Sequence, residues 1–98
     1  MKVRFTRRAR LSVRQIISSI AESSPSGAEA VSKRIERAAY LLEDFHRVGV
    51  GTNLPQIRKM TLNPYPYLLF YTVGKSGVSI LEVRHAARRP LTWKEERH

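Results

Sequence analysis

The sequence predicts a two-layer α+β domain in which an antiparallel helical hairpin covers one face of an antiparallel sheet. The first half of the chain has two apolar patterns of helical period. The second half has three apolar runs, rich in β-branched and aromatic residues, that only turn-forming residues separate. The chain has 98 residues and no cysteine, which favours one domain with one core and no disulfide scaffold.

The first predicted elements are a short strand and a helix that follows it directly. Alternation of apolar and basic residues over Lys2–Thr6 indicates the strand. Thr6 is a suitable N-cap for a helix that begins at Arg7. The helix has one apolar stripe, and three arginines fall outside it and are expected in solvent (Arg7, Arg10 and Arg14). The stripe consists of Ala9, Val13, Ile16, Ile17 and Ile20.

A second helix is predicted after the break at residues 23–27. Ser24 is a typical N-cap, and Pro25 fits the first helical position. Glu29 and Lys33 form a favourable i,i+4 pair on its outer face. Because only a short break separates the two helices, we expect an antiparallel hairpin. The apolar side of the second helix comprises Val31, Ile35, Ala38, Leu42 and Phe45.

The remainder of the chain predicts a loop followed by a three-stranded antiparallel meander. Gly, Asn and Pro residues mark the loop, from His46 to Gln56. Arg58 opens the meander, and turns at residues 63–66 and 74–77 divide it. The predicted order is therefore β-α-α-β-β-β in a single domain of residues 1–98, with a short tail at 90–98. We expect the sheet face opposite the helices to be open.

The charge distribution indicates a polyanionic partner. The formal net charge is +10, and the segment from Met1 to Ala21 has six basic residues and no acidic one. Such a field favours nucleic acid or an acidic protein. The three histidines lack the spacing of metal ligands, so no metal or other cofactor is expected. No apolar run approaches the length of a membrane span, and we expect a soluble, cytoplasmic protein.

An ordered set of motifs resembles the RelE/ParE toxin superfamily, and its ParE branch in particular, over the chain up to Arg89. The resemblance implies the α+β fold predicted above. It also implies a toxin of a type II toxin–antitoxin system, which inhibits DNA gyrase and replication and is neutralised by a cognate ParD/RelB-like antitoxin. The motifs are Phe5-Thr-Arg-Arg-Ala9, Ile20-Ala21-Glu22, Pro25, Arg58, Tyr65-Pro66-Tyr67-Leu68 with Tyr71, and His85-Ala-Ala-Arg88.

The resemblance also directs attention to basic residues of the sheet. The RelE-like branch cleaves messenger RNA on the ribosome, a reaction that needs an acid, a base and cations for the phosphate. His85 is the candidate acid or base of that alternative, because an imidazole side chain can accept and donate a proton under physiological conditions. Candidate target- or phosphate-binding residues are Arg58, Arg84, His85 and Arg88, and candidate partner-binding residues are Tyr67, Tyr71 and Trp93.

Two alternatives to gyrase inhibition remain open at this point. One is a RelE-like ribosome-dependent ribonuclease, and the weaker one is a nucleic-acid-binding module without toxicity. Pro66 and Tyr67 occupy the place where many ribonuclease members have a basic residue. The catalytic set is therefore incomplete, and we expect no intrinsic nuclease activity.

Structural roles are the alternative for each candidate residue. His85 can bond to the backbone, Arg58 can pair with Glu82 across strands, and the tyrosines can pack in the sheet. Our functional hypothesis instead places Arg58, His85 and Arg88 in one patch near the end of the last strand. In that hypothesis the patch affects toxicity more than folding.

Overall fold

Both helices begin where their capping residues predict. The computed structural model describes residues 1–87, and in it α1 spans Arg7–Ala21 and α2 spans Pro25–Asp44. The hydroxyls of Thr6 and Ser24 each accept a hydrogen bond from the backbone N–H three residues later, at 3.1 and 3.0 Å. Each cap satisfies one of the N–H groups that a helix start leaves without a partner.

The strands form one mixed sheet rather than a purely antiparallel one. In the sheet order β1-β5-β4-β3-β2, β1 runs parallel to β5 and every other pair is antiparallel. The α+β class and the predicted strand, helical hairpin and meander are confirmed. The strands are β1 (Val3–Phe5), β2 (Val50–Gly51), β3 (Arg58–Thr61), β4 (Tyr67–Gly74) and β5 (Gly77–His85).

Two local predictions are wrong. The segment predicted as a loop contains β2, which pairs with β3 and lengthens the sheet by one strand. Phe45 does not belong to the buried side of α2, because the helix ends at Asp44 and Phe45 is 60% exposed. Its φ of −127° and ψ of 57° are not helical, so its side chain leaves the apolar stripe.

The main core lies between the hairpin and one face of the sheet. Leu69, Tyr71 and Ile80 contribute from the central strands and are fully buried. Around Leu81 the β4–β5 register shifts, so that Phe70 lies opposite Glu82 and Tyr71 lies opposite Ile80. The shift places Leu81 against Phe70, on the face away from the helices. The other buried members of the core are Ala9, Val31, Ile35, Ala38, Leu42, Leu62, Val78 and Val83.

The sheet face away from the helices is less open than the sequence predicts. Phe70 is only 5% exposed there, because a second apolar cluster covers it. Two of its members, Leu54 and Ile57, come from the loop before β3. Thr52 holds that loop in place, since its hydroxyl contacts the Leu54 N–H and the Ile57 carbonyl at 3.1 and 3.0 Å. The expectation of a bare sheet face is therefore wrong around Phe70.

Candidate functional site

A groove runs between α1 and the last part of β5, and we call it the α1–β5 groove. It forms because β1 ends at Phe5, opposite Ile80, and α1 lies beside the rest of β5. It consists of two adjoining openings, which enclose volumes of about 520 and 310 Å³. Ser12, Gln15, Glu82 and Arg84 line both openings; Arg7, Arg8 and Leu11 line one end, and Ile16, Ser19, Tyr67, Val83 and His85 line the other.

Ser12 fastens α1 to the strand inside this groove. Its hydroxyl donates to the Ala9 carbonyl at 2.8 Å and accepts the Val83 N–H at 3.1 Å. The hydroxyl therefore satisfies an outward-facing N–H of β5 that no neighbouring strand pairs with. A serine inside a helix commonly bonds back to a preceding carbonyl, as this one does.

A carboxylate between two arginines forms the floor of the groove. One oxygen of Glu82 accepts from the Nε and Nη2 of Arg8 at 3.0 and 2.7 Å. The other oxygen accepts from the Nε of Arg84 at 2.9 Å. Glu82 and Arg84 are only 5% and 7% exposed. These charge-assisted hydrogen bonds are strong. The negative charge of Glu82 also offsets part of the positive charge of Arg8 and Arg84 in the groove.

His85 lies at the other end of the groove, in an orientation set by two contacts. Its Nδ1 accepts the Ala87 N–H at 3.0 Å, so the neutral ring carries its hydrogen on Nε2. Its ring meets that of Tyr67 edge to face, with centroids 5.5 Å apart and an interplanar angle of 79°. The structural role considered for His85 was a hydrogen bond to the backbone, and its Nδ1 makes such a bond.

Arg58 has a different environment, at the opposite end of the sheet. Its Nε and Nη2 donate to the Gly49 carbonyl at 3.1 and 2.6 Å, and Nη2 also donates to the Arg47 carbonyl at 3.1 Å. On the same loop, the Gly49 N–H donates to the hydroxyl of fully buried Tyr71 at 2.9 Å. Arg58 and Tyr71 therefore hold the chain between α2 and β2 against the sheet.

The structure brings three of the predicted site residues together and places Arg58 apart from them. Tyr67, Arg84 and His85 all border the α1–β5 groove. Arg58 lies opposite Tyr71, whereas His85 lies opposite Tyr67, four positions away along β4. At about 3.3 Å per residue that is about 13 Å, so the prediction that Arg58 and His85 share a patch is wrong. Arg88 and Trp93 lie outside the described residues.

The predicted alternative of an Arg58–Glu82 pair is also wrong. Glu82 lies opposite Phe70 and binds Arg8 and Arg84 instead. Arg8 and Ser12 were not among the predicted site residues. One signal was present, because Glu82 is the only acidic residue between Gly51 and Arg89. A buried carboxylate in a strand requires a cationic partner. No residue near Glu82 in the sequence indicates that a partner comes from α1.

Residues 1–87 contain neither a metal-binding cluster nor a membrane-spanning helix. This part of the chain contains no group of three or more His, Asp or Glu side chains arranged to hold a metal ion. Neither helix is both long enough and apolar enough to cross a membrane.

Two solved structures share this fold. A chain from the chromosomal ParDE TA system from P. aeruginosa matches with a TM-score of 0.77 and 22% identity, over 87% of this chain and 95% of that one. The isolated E. coli RelE toxin matches with a TM-score of 0.55 and 21% identity, over 96% and 92%. At these identities the likeness concerns the fold alone.

The sequence identifies the family more closely than the fold does. The model of the ParE toxin of type II toxin–antitoxin system, parDE, matches residues 3–90. The protein therefore belongs to the ParE toxin family, and the predicted membership of the RelE/ParE superfamily, in its ParE branch, is confirmed. No curated protein sequence matched the chain.

Proposed function

We propose that this toxin inhibits DNA gyrase and is neutralised by a cognate antitoxin. The observation that carries the proposal is the ParE family match along residues 3–90. The resemblance noted from the motifs implies gyrase as the target. The net charge of +10 suits an acidic antitoxin segment that folds on binding.

The α1–β5 groove supports inhibition over phosphodiester cleavage. Cleavage needs an acid, a base and cations that converge on one phosphate. Here the buried carboxylate of Glu82 already binds Arg84, and the Nδ1 of His85 already accepts a backbone N–H. Arg58 is bound to carbonyls at the opposite end of the sheet.

The test of the target uses the purified chain with gyrase and relaxed plasmid DNA. We expect supercoiling to decrease as toxin is added, and to recover when the product of the adjacent gene is added first. A parallel reaction contains translating ribosomes and a defined message, which we expect to remain intact. Normal supercoiling at a toxin concentration that arrests growth would refute gyrase as the target.

A ribosome-dependent ribonuclease is the second candidate, because Tyr67, Arg84 and His85 border one groove. It predicts codon-positioned cleavage that His85→Ala abolishes. The matched control is His46→Ala, since His46 lies in the segment after α2 and does not line the groove. Cleavage by the wild type and by His46→Ala, but not by His85→Ala, would replace the first proposal with this one.

The antitoxin part of the proposal has its own test. The toxin and the product of the adjacent gene, expressed together, should purify as one complex that persists at micromolar concentration in moderate salt. Dissociation under those conditions would contradict neutralisation by direct binding. The gyrase assay is independent of this result.

A further inference from the structure

Exposed apolar side chains cluster at the end of α2, and we call this surface the α2-end patch. Its members are Tyr40, Leu41, Phe45 and Val48, whose exposed fractions are 71%, 37%, 60% and 50%. Two backbone bonds keep the last three close together. The Phe45 N–H donates to the Leu41 carbonyl at 2.8 Å, and the Val48 N–H donates to the Phe45 carbonyl at 3.0 Å. Exposed apolar side chains that cluster in this way mark an interaction surface.

The charge around the α2-end patch differs from that of the whole chain. Residues 36–48 contain three acidic and two basic residues, whereas the chain has a net charge of +10. The acids Glu43 and Asp44 are exposed at the end of α2. Nucleic acid and acidic peptides are therefore attracted to other parts of the surface. A second copy of this chain, in contrast, meets little like-charge repulsion at this patch.

Four exposed residues of α2 give the patch a self-complementary pattern. Arg37 precedes Tyr40 by three positions and Leu41 by four. Asp44 follows Tyr40 by four positions and Leu41 by three, so all four residues are neighbours on one surface of the helix. The side chains of Arg37 and Asp44 have no ion-pair partner in the described part of the chain. An apolar centre therefore lies between an unpaired cation and an unpaired anion.

An antiparallel pair of α2 helices satisfies this pattern when a two-fold axis passes between Tyr40 and Leu41. Tyr40 of one copy then lies against Leu41 of the second copy. Arg37 of one copy lies against Asp44 of the second copy, because both are equally far from the axis. Each contact occurs twice, as in every two-fold interface. We propose that the chain pairs with a second copy of itself through the α2-end patch in this antiparallel register.

The apolar residues provide most of the affinity, and the charges fix the register. Tyr40 and Phe45 together expose on the order of 250 Å², so two copies bury an area at the small end of specific interfaces. Exposed ion pairs contribute little affinity and mainly impose orientation. We therefore expect a dissociation constant on the order of 100 µM. Unfolding measured in dilute solution then reports on the monomer.

Sedimentation equilibrium of the full chain, from about 5 to 500 µM, measures the pairing. We expect the average mass to rise from that of a monomer toward that of a dimer. A chain that stays a monomer over the whole range would overturn the proposal. Masses beyond the dimer would also contradict it, because a two-fold interface closes on itself.

Charge reversal tests the register. Arg37→Asp places two acids opposite each other, and Asp44→Arg places two bases opposite each other, so each should weaken pairing about tenfold. The double variant restores opposite charges and should pair within about threefold of the wild type. Arg14→Asp, at an exposed position of α1, lowers the net charge equally and should change pairing less than about twofold. A double variant as weak as either single variant would refute the antiparallel register.

Truncation tests the apolar centre. Tyr40→Ala should weaken pairing about tenfold or more, because an aromatic side chain at the centre of an interface contributes strongly to affinity. Leu11→Ala is the control, since Leu11 is 47% exposed on α1 and lies outside the patch. It should change pairing less than about twofold. Equal losses in the two variants would show non-specific association and would overturn the proposal.

A different occupant of the patch would give a different result. The product of the adjacent gene is titrated into the wild type and into Tyr40→Ala. Weaker binding to Tyr40→Ala, with a wild-type chain that stays a monomer, would assign the patch to the antitoxin and refute pairing between copies. Because the sedimentation measurement contains only this chain, its outcome is independent of the proposed function.

Discussion

Arg58 and Arg84 were both predicted to bind the target or a phosphate, yet they lie in different parts of the sheet and have different partners. Arg58 donates to the Gly49 and Arg47 carbonyls and holds the loop before β2. Arg84 is 7% exposed and binds the Glu82 carboxylate, which also binds Arg8 of α1. One arginine satisfies backbone carbonyls of a loop, and the other belongs to a buried ionic network.

The difference shows that the acceptors around an arginine determine its role. Carbonyl groups carry only partial charges, so the bonds of Arg58 fix the loop without neutralising the guanidinium. Glu82 carries a full charge, so the guanidiniums of Arg8 and Arg84 are bound to a buried anion. Removal of an acceptor therefore costs much more in the buried network than in the loop.

The largest expected effect is that of Glu82→Ala. It leaves Arg84 in a buried position without its carboxylate, and we expect the free energy of unfolding to fall by about 3 kcal/mol. Urea denaturation measures the change. Glu29→Ala is the control, because the Glu29–Lys33 pair has side chains 69% and 70% exposed and is worth about 0.3 kcal/mol. Equal losses in the two variants would refute a special contribution of the buried network.

The next effect concerns the loop that Arg58 holds. A Cβ on Gly49 would lie 2.7 Å from both the Lys59 carbonyl oxygen and the Tyr71 hydroxyl. Gly49→Ala must displace backbone and a buried side chain, and we expect a loss of about 2 kcal/mol. At Gly51 a Cβ would meet nothing within 4 Å, so Gly51→Ala is the matched control. A destabilised Gly51→Ala with a stable Gly49→Ala would contradict the packing of this loop.

A smaller loss is expected from Tyr71→Phe. The change removes the hydroxyl that accepts the buried Gly49 N–H and keeps the ring, and we expect it to cost about 1.5 kcal/mol. Thermal unfolding provides the measurement. The control is Tyr67→Phe at the groove, since Tyr67 is only half-buried. A change in melting temperature no larger than that of the control would mean that the Gly49 N–H does not depend on this bond.

Arg58→Ala is expected to have the smallest effect on stability, and it tests whether Arg58 has a structural or a target-binding role. Arg58→Ala removes the hydrogen bonds to the two loop carbonyls at a half-buried site, and we expect a loss of about 1 kcal/mol. Growth arrest per folded molecule should remain unchanged. The control is Arg37→Ala, because Arg37 is an exposed arginine of α2. Unchanged stability with reduced growth arrest would restore Arg58 to the target-binding surface.

The sequence allowed correct prediction of those features that depend on neighbouring residues. The N-caps Thr6 and Ser24, the solvent-facing arginines of α1 and the start of β3 at Arg58 all follow from short-range patterns. Part of the groove was also predictable, because His85 and Arg84 stand at the end of an alternating strand. The pairing of Glu82 was not, since its partner Arg8 is 74 residues away.

The sequence by itself determined both helices, four of the five strands, the fold class and the positive field of the first segment, because periodicity, caps and charge are local properties. Only the tertiary structure decided the direction of β1, the register shift at Leu81 and the separation of Arg58 from His85. Since side chains alternate between the two faces of a sheet, the register decides which charges meet. That register is set by packing between distant segments, so the ionic network beneath the α1–β5 groove emerges only in the folded chain.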